Sequence, residues 1–327
     1  MRIVVTGGAG YIGSVAVHAL VARGDEVVVV DNMTQGHAAA IPANARLQKA
    51  DVRDEQALTD ILRQHGTEAV LHFAALTIAP ESVRDPAPYW DVNAAGTMNL
   101  LQAMRAAEIA TLVLSSTAAV YGNPEVSPVA EDAALAPINP YGASKLAAER
   151  MAMSFAAAYG LSVAALRYFN VAGATGDVGE DHCPETHLIP RALDAASGRG
   201  EPLTLFGADF PTADGTAIRD FVHVTDLIDA HLAALDLMQA GNESLGAINL
   251  GARSGASVRE VLDAVKRVTG REVPVTIAGR RPGDPAVLIA DATRARKLLG
   301  WTPWRSTLDE MIGSAWAWRQ RFPHGYS

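Results

Sequence analysis

A short β-branched run, Arg2-Ile-Val-Val-Thr6, enters Gly7-Gly-Ala-Gly10-Tyr-Ile-Gly13 and leaves it in a helical stretch from Ser14 to Arg23. This strand, glycine turn and helix restrict what the chain can become more than any other feature. Glycines let a backbone approach a pyrophosphate closely, and the following helix N-terminus supplies unpaired N–H groups with partial positive charge. A glycine motif alone is weak, but this one has the required context on both sides. Gly24 closes the helix and Glu26-Val-Val-Val-Val-Asp31 reads as a second strand. Asp31 stands eighteen residues beyond Gly13, near the spacing of an acid that hydrogen-bonds an adenosine ribose. Its charge repels a 2′-phosphate, so NAD is expected over NADP. The plainer reading is a strand-end aspartate capping a turn.

The α/β alternation continues. Strands are expected at 46–50, 68–73, 111–115 and 162–168, with helices at 55–65 and 88–108. That order implies a doubly wound parallel sheet covered on both faces. Ligands bind such sheets at the carboxyl ends of the strands. Asp51, Phe73, Ala74, Ser115, Ser116 and Thr117 all sit at those ends. Past Tyr168 and Phe169-Asn170 the stretch 176–187 is polar and acidic, a loop. Shorter elements with Pro-, Gly- and Asp-rich loops follow. A first domain over 1–175, with 218–252 returning to it, and a smaller α/β C-terminal lobe over 176–327 closing on the sheet's carboxyl edge are expected.

Asn139-Pro-Tyr-Gly-Ala-Ser-Lys145 opens a run of good helix formers, and Pro140 suits a helix start. Residues i and i+4 share a helix face, so Tyr141 and Lys145 point together. A phenol loses its proton near pH 10, and a neighbouring cation draws that value toward neutrality, making a base. Taken alone, the pair also fits a solvated helix face. In the late loops Arg219 and Arg281 offer guanidinium forks that match phosphate oxygens, although each by itself also reads as a surface ion pair.

Composition narrows the partners. A net charge of −9 over 327 residues argues against nucleic acid and against a polybasic membrane contact. One cysteine, Cys183, excludes an intramolecular disulfide framework. The N-terminus reads straight into a strand without a signal peptide, and no apolar run spans a bilayer; a cytoplasmic protein is expected. No metal-ligand set is expected.

Together, Gly7-xx-Gly10-xx-Gly13, Asp31-Asn32, Asp51-Val52, Phe73-Ala74-Ala75, Ser115-Ser-Thr-Ala-Ala-Val-Tyr-Gly122, Tyr141-xxx-Lys145 and Arg167-Tyr-Phe-Asn170 resemble the extended short-chain dehydrogenase/reductases, which have a Rossmann fold. Within them the chain looks like the UDP-glucose 4-epimerases, from Met1 to about Trp304, with Arg219-Asp-Phe-Val-His223 and Arg281-Pro-Gly-Asp284 in the family's order. The resemblance implies interconversion of UDP-galactose and UDP-glucose through a 4-keto sugar. Tyr141 would be the base, Lys145 would lower its pKa and bind the nicotinamide ribose, and Thr117 would bond the sugar hydroxyl. It implies NAD contacts from Gly7, Gly10, Tyr11, Ile12, Gly13, Asp31, Asn32, Asp51, Val52, Phe73, Ala74, Ala75, Asn93, Ser115, Tyr168 and Phe169. The UDP-sugar would meet Asn170, His187, Leu188, Phe206, Arg219, Arg281, Asp284 and Leu288. Phe206 would pack on uracil and Asp284 would meet the nucleotide ribose.

Three departures stand out: Thr77 where some members have a cofactor-binding lysine, His187 where some have asparagine, and Leu288 where a bulky tyrosine would exclude N-acetyl groups. A UDP-N-acetylhexosamine or another UDP-sugar is therefore an alternative substrate. A 4,6-dehydratase needs an Asp-Glu pair where this chain has Ala118-Ala119, which cannot transfer protons. A non-catalytic NAD sensor would be expected to lack the intact Tyr141/Lys145 pair. Met151, Met153, Phe155 and several alanines leave the 145–159 helix apolar on more than one face, so a homodimer is expected.

Overall fold

The computed structural model of the protein describes residues 1–241, 243–281 and 283–326. Pro282, within the Arg281-Pro-Gly-Asp284 motif, lies outside the described residues. The strands are β1 (Arg2–Thr6), β2 (Glu26–Asp31), β3 (Arg46–Lys49), β4 (Ala69–His72), β5 (Thr111–Thr117), β6 (Ser162–Tyr168), β7 (Asn170–Ala172), β8 (Leu203–Phe206), β9 (Ile218–Arg219), β10 (Phe221–His223), β11 (Gly246–Leu250), β12 (Ala256–Ser257), β13 (Val275–Ala278) and β14 (Val287–Leu288). The helices are α1 (Tyr11–Arg23), α2 (Glu55–Gln64), α3 (Ala79–Arg84), α4 (Ala87–Tyr89), α5 (Gly96–Ala106), α6 (Pro140–Tyr159), α7 (Leu188–Ser197), α8 (Val224–Gln239), α9 (Val258–Thr269), α10 (Thr293–Leu299) and α11 (Leu308–Arg321).

Seven strands form one sheet in the order β11-β6-β5-β4-β1-β2-β3, with every neighbouring pair parallel. The strands read as apolar runs because both faces are covered. Ile3, Val5, Val29, Leu71, Val113 and Leu166 belong to one core with Val15 and Leu20 of α1 and Leu227 and Leu235 of α8. Val4, Val28, Val70, Leu112 and Val163 belong to the other, with Leu58 of α2, Leu100 and Met104 of α5 and Ala152 of α6. Burying each such side chain contributes about 1.5–3 kcal/mol. The chain winds outward from β1 in both directions, so the crevice where strand order reverses opens beside the carboxyl ends of β1 and β4.

A third core joins Leu193 of α7, Val261 and Val265 of α9, Met311 and Ile312 of α11 and Phe221 of β10. Beside it lie two small sheets, β13-β8 and β12-β9-β14. Buried Asp220 ties these parts together by accepting from the backbone N–H groups of Ala252, Arg253 and Ala290 at 2.8, 3.1 and 3.0 Å.

Two elements differ from expectation. The 88–108 helix is interrupted by a π-helical turn, Trp90–Ala95, of the kind that often marks a functional position. Helix α3 is unexpected: six residues carry no readable period, and Pro80 at its first turn suits either a helix start or a turn. The 176–187 stretch is a loop with one isolated bridge, Thr175 to Val178.

Candidate active site

The glycine loop is built for close approach. Gly7 has φ 69° and a Cβ there would fall 2.5 Å from the Ala74 nitrogen, while one on Gly13 would fall 2.1 Å from the Gly7 oxygen. Gly10 caps α1 with no side-chain bond and no acid in the first turn. The helix end therefore keeps its N–H groups and partial positive charge for an anion. Asp31 is held by its own loop: Oδ2 accepts from Ala9 N at 3.1 Å and Oδ1 from Met33 N at 2.9 Å. Two lone-pair positions remain for a ribose diol. Asn32 Nδ2 donates to Asp51 Oδ2 at 2.9 Å beside buried Val52. Phe73, Ala74 and Ala75 follow β4 directly below Gly7. These residues fit an NAD.

Several side chains expected to touch that cofactor are otherwise engaged. The Tyr11 hydroxyl donates to Gly173 O at 2.6 Å, so the ring fastens the glycine loop to the β7 end. Ile12 packs into the first core. Asn93 sits buried in the π turn, accepting from Leu76 N at 2.8 Å and donating to Leu76 O at 3.0 Å and Ser144 Oγ at 3.1 Å. All its polar atoms are used, so it positions the 74–76 loop instead of contacting ligand through its amide. The Tyr168 hydroxyl donates to Ser115 Oγ, and Phe169 packs against the cluster of Ala118, Val120 and Leu146.

Helix α6 starts where Asn139 Oδ1 accepts from Gly142 N at 2.8 Å, with Pro140 in the first turn. Tyr141 and Lys145 lie one turn apart on it, and Lys145 is 3% exposed. Thr117, ending β5, accepts from Ala119 N at 3.1 Å and hydrogen-bonds the Tyr141 phenol. The environment of the phenol by itself acts in the other direction from the expected pull of Lys145. Burial raises the Tyr141 pKa, and only the Thr117 hydrogen bond opposes it. Lys145 is lowered to about 8 by burial, against the field of Glu149. The low-dielectric site thus disfavours both charges.

Below this pair lies a network that sequence reasoning missed. Arg167 Nε donates to Glu149 Oε2 at 3.0 Å, a second guanidinium N–H reaches Glu149 Oε1, and Nη1 donates to the Tyr121 hydroxyl at 2.8 Å. Ser116 Oγ donates to Glu149 Oε2 at 2.9 Å, and Tyr121 donates to Asn249 Oδ1 at 2.7 Å. The signal was present as a second i, i+4 step, Tyr141, Lys145, Glu149, but a buried acid is invisible until its partner is known.

The late arginines also converge. Arg219 ion-pairs with Asp284, so the Asp284 carboxylate meets a guanidinium here. Arg281 lies 3.9 Å from the centroid of Phe206, occupying one face of the ring expected to pack on a base. Burial lowers the Arg281 pKa, Asp284 opposes this, and Arg191 and Arg219 lower it further. Arg191, on α7 next to His187-Leu188, was not foreseen; three guanidinium groups with one carboxylate, Asp284, among them leave a positive balance that fits an anion. Leu288 pairs with Arg219 across β14 and β9 and packs against the Ala118, Val120 and Leu146 cluster. The anion site and the Thr117/Tyr141 pair therefore adjoin. Asn170 opens β7, held by Asp220 O at 3.0 Å. His187 Nδ1 is committed to Glu180 and Glu185 at 2.8 and 2.9 Å.

A doubly wound parallel sheet with a glycine-rich turn into α1, Asp31 ending β2 and the Tyr141/Lys145 pair on α6 defines the class of dinucleotide-dependent enzymes. The chain belongs to the NAD dependent epimerase/dehydratase family, whose model matches residues 3–251. It is 48% identical over 328 residues to a UDP-glucose 4-epimerase of Lacticaseibacillus casei, covering 100% of this chain and 99% of that one. It is similar to the crystal structure of UDP-glucose 4-epimerase from Brucella ovis in complex with NAD, with TM-score 0.94, 44% identity and 97% of each chain covered. The UDP-Glc/GlcNAc 4-epimerase from Campylobacter jejuni matches with TM-score 0.86 and 39% identity over 98% of this chain and 99% of that one. Among the described residues no helix is long and apolar enough to cross a membrane.

Proposed function

We propose that this chain is an NAD-dependent UDP-glucose 4-epimerase that interconverts UDP-galactose and UDP-glucose. The observation that carries the reading is Leu288, which bridges Arg219 of the anion site to the Thr117/Tyr141 end of β5. A sugar diphosphate held by Arg191, Arg219 and Arg281 presents its ring to the phenol. NAD, when bound, supplies the hydride acceptor and donor at C4. The glycine loop from Gly7 to Gly13 holds its diphosphate, with Asp31 at the adenosine ribose and Lys145 at the nicotinamide ribose. Tyr141 removes the C4 hydroxyl proton, Thr117 bonds the same hydroxyl, and Lys145 stabilises the phenolate. The 4-keto sugar turns its other face before Tyr141 returns the proton.

The division into a cofactor domain, 1–175 with 218–252, and a UDP-sugar lobe belongs to the same reading, as does a cytoplasmic location. Ala118 and Ala119 leave no acid–base group for loss of water. Leu288 favours a second substrate, a UDP-N-acetylhexosamine, since it is smaller than an aromatic ring. We also assign a homodimer. Trp90 and Tyr159 are 44% and 50% exposed on neighbouring helices, although Met151, Met153 and Phe155 pack partly on the chain's own core; elution as a monomer with light scattering at micromolar protein would sink that assignment. The activity is tested by NMR of purified protein with UDP-galactose and no added cofactor. UDP-glucose appearing at a ratio independent of enzyme concentration supports it; no conversion even after adding NAD rejects it.

A further inference from the structure

The loop between β7 and α7 carries Glu180, His182, Glu185 and His187, and it curls so that one ligating atom from each lies within 4.8 Å of the others. His187 Nδ1 is 2.8 Å from Glu180 Oε1 and 2.9 Å from Glu185 Oε1, while His182 Nδ1 is 3.2 Å from Glu180 Oε1 and 3.7 Å from Glu185 Oε2. Both imidazoles present the same nitrogen to the same two carboxylates. A tetrahedral zinc ion with nitrogen and oxygen ligands at about 2.0–2.2 Å sets those atoms roughly 3.3 Å apart, within the observed spread.

Hydrogen bonds hold part of the loop, with Glu185 Oε1 accepting from the backbone N–H groups of Thr186 and His187 at 2.7 and 2.8 Å, but they leave two atoms over. His182 Nδ1 and Glu185 Oε2 are both buried with no hydrogen-bond partner, although each faces the cluster. The two carboxylate side chains are only 7% and 12% exposed, and close, desolvated like charges are costly without a countercharge. Two protonated imidazoles or one divalent cation can neutralise the pair, and a cation also takes up both orphaned atoms. Arg319 stands outside, with Nη2 4.0 Å from Glu185 Oε2 and Nη1 paired to Asp194.

We propose that Glu180, His182, Glu185 and His187 form a structural site for a divalent transition-metal ion, with zinc suited best by two imidazoles and two carboxylates. Four protein ligands close the site, so its role is architectural. The Tyr11 ring meets His182 edge-on with centroids 6.4 Å apart, and His187 directly precedes α7. The ion therefore clasps the glycine loop to the helix that carries Arg191. The spacing Glu-x-His-x-x-Glu-x-His matches no common short metal motif, so the site would come from the curl of the loop.

The test uses untagged, NAD-loaded protein, stripped with chelator, incubated with Zn²⁺ or Co²⁺ and desalted, with metal counted by mass spectrometry. One zinc per chain, visible d–d absorption of four-coordinate cobalt and a higher Tm for the metal-loaded form are expected. His182→Gln and Glu185→Gln should each lose the metal while retaining NAD, and Cys183→Ser should keep it. Substoichiometric metal in the wild type, or undiminished metal in both substituted proteins, would overturn the site in favour of a plain ion-pair knot. Loss of metal in Cys183→Ser would overturn the ligand set.

Discussion

Glu149→Gln isolates the network beneath the catalytic pair. Arg167 and Glu149 are 3% and 6% exposed, and removing one partner of such a pair strands a buried guanidinium at a cost of about 3–5 kcal/mol. For 327 residues the unfolding entropy is roughly 0.7 kcal/mol/K, so Tm should fall by about 4–7 °C. The double variant Glu149→Gln/Arg167→Met should recover part of that loss, because the uncompensated charge is gone. Glu149 also raises the Lys145 pKa. At the ~6 Å separation of i, i+4 side chains and an effective dielectric near 20, its field is worth about 2.8 kcal/mol, or roughly 2 pH units. Losing it lowers Lys145 below its value of about 8, and the alkaline limb of kcat/KM should move down by on the order of one to two pH units. Calorimetry of the NAD-loaded proteins and a pH–rate profile read both effects. A double variant no more stable than the single one, together with an unmoved alkaline limb, would refute the reasoning.

Three further outcomes follow from the same geometry. Tyr141→Phe should keep its NAD and lose turnover by about 10²–10⁴-fold; near-normal rates would reject Tyr141 as the base. Gly13→Ala places a methyl 2.1 Å from the Gly7 oxygen, so NAD should be lost on desalting, and an unchanged NAD content would contradict the close approach. His72 and His231 are lowered by burial to about 3 and about 4, below the ~6.5 of an unfolded histidine. The unfolded chain then binds more protons at mildly acidic pH, so stability falls as pH drops from about 6.5, by several kcal/mol in all. Thermal melts that stay flat between pH 7 and 5 would remove both histidines from that account.

The sequence by itself determined the α/β alternation, the glycine loop and the parallel character of the sheet, because apolar runs, glycine turns and helix-forming stretches are local. It also determined that Tyr141 and Lys145 share a face, since an unbroken helix fixes that at four residues' spacing. Long-range placement was out of its reach. Asn93 reads as a ligand contact until the π turn pins it on Leu76; Glu149 reads as a solvated helix acid until Arg167 arrives from β6. Arg191 gains meaning only beside Arg219 and Arg281, and His187 turns to Glu180 because the loop curls. The sign of the Tyr141 shift was decided the same way: only the packed site revealed that burial of the phenol outweighs its hydrogen bond with Thr117. Charge is legible in a sequence, whereas burial, which decides what a charge does, is a property of the folded chain.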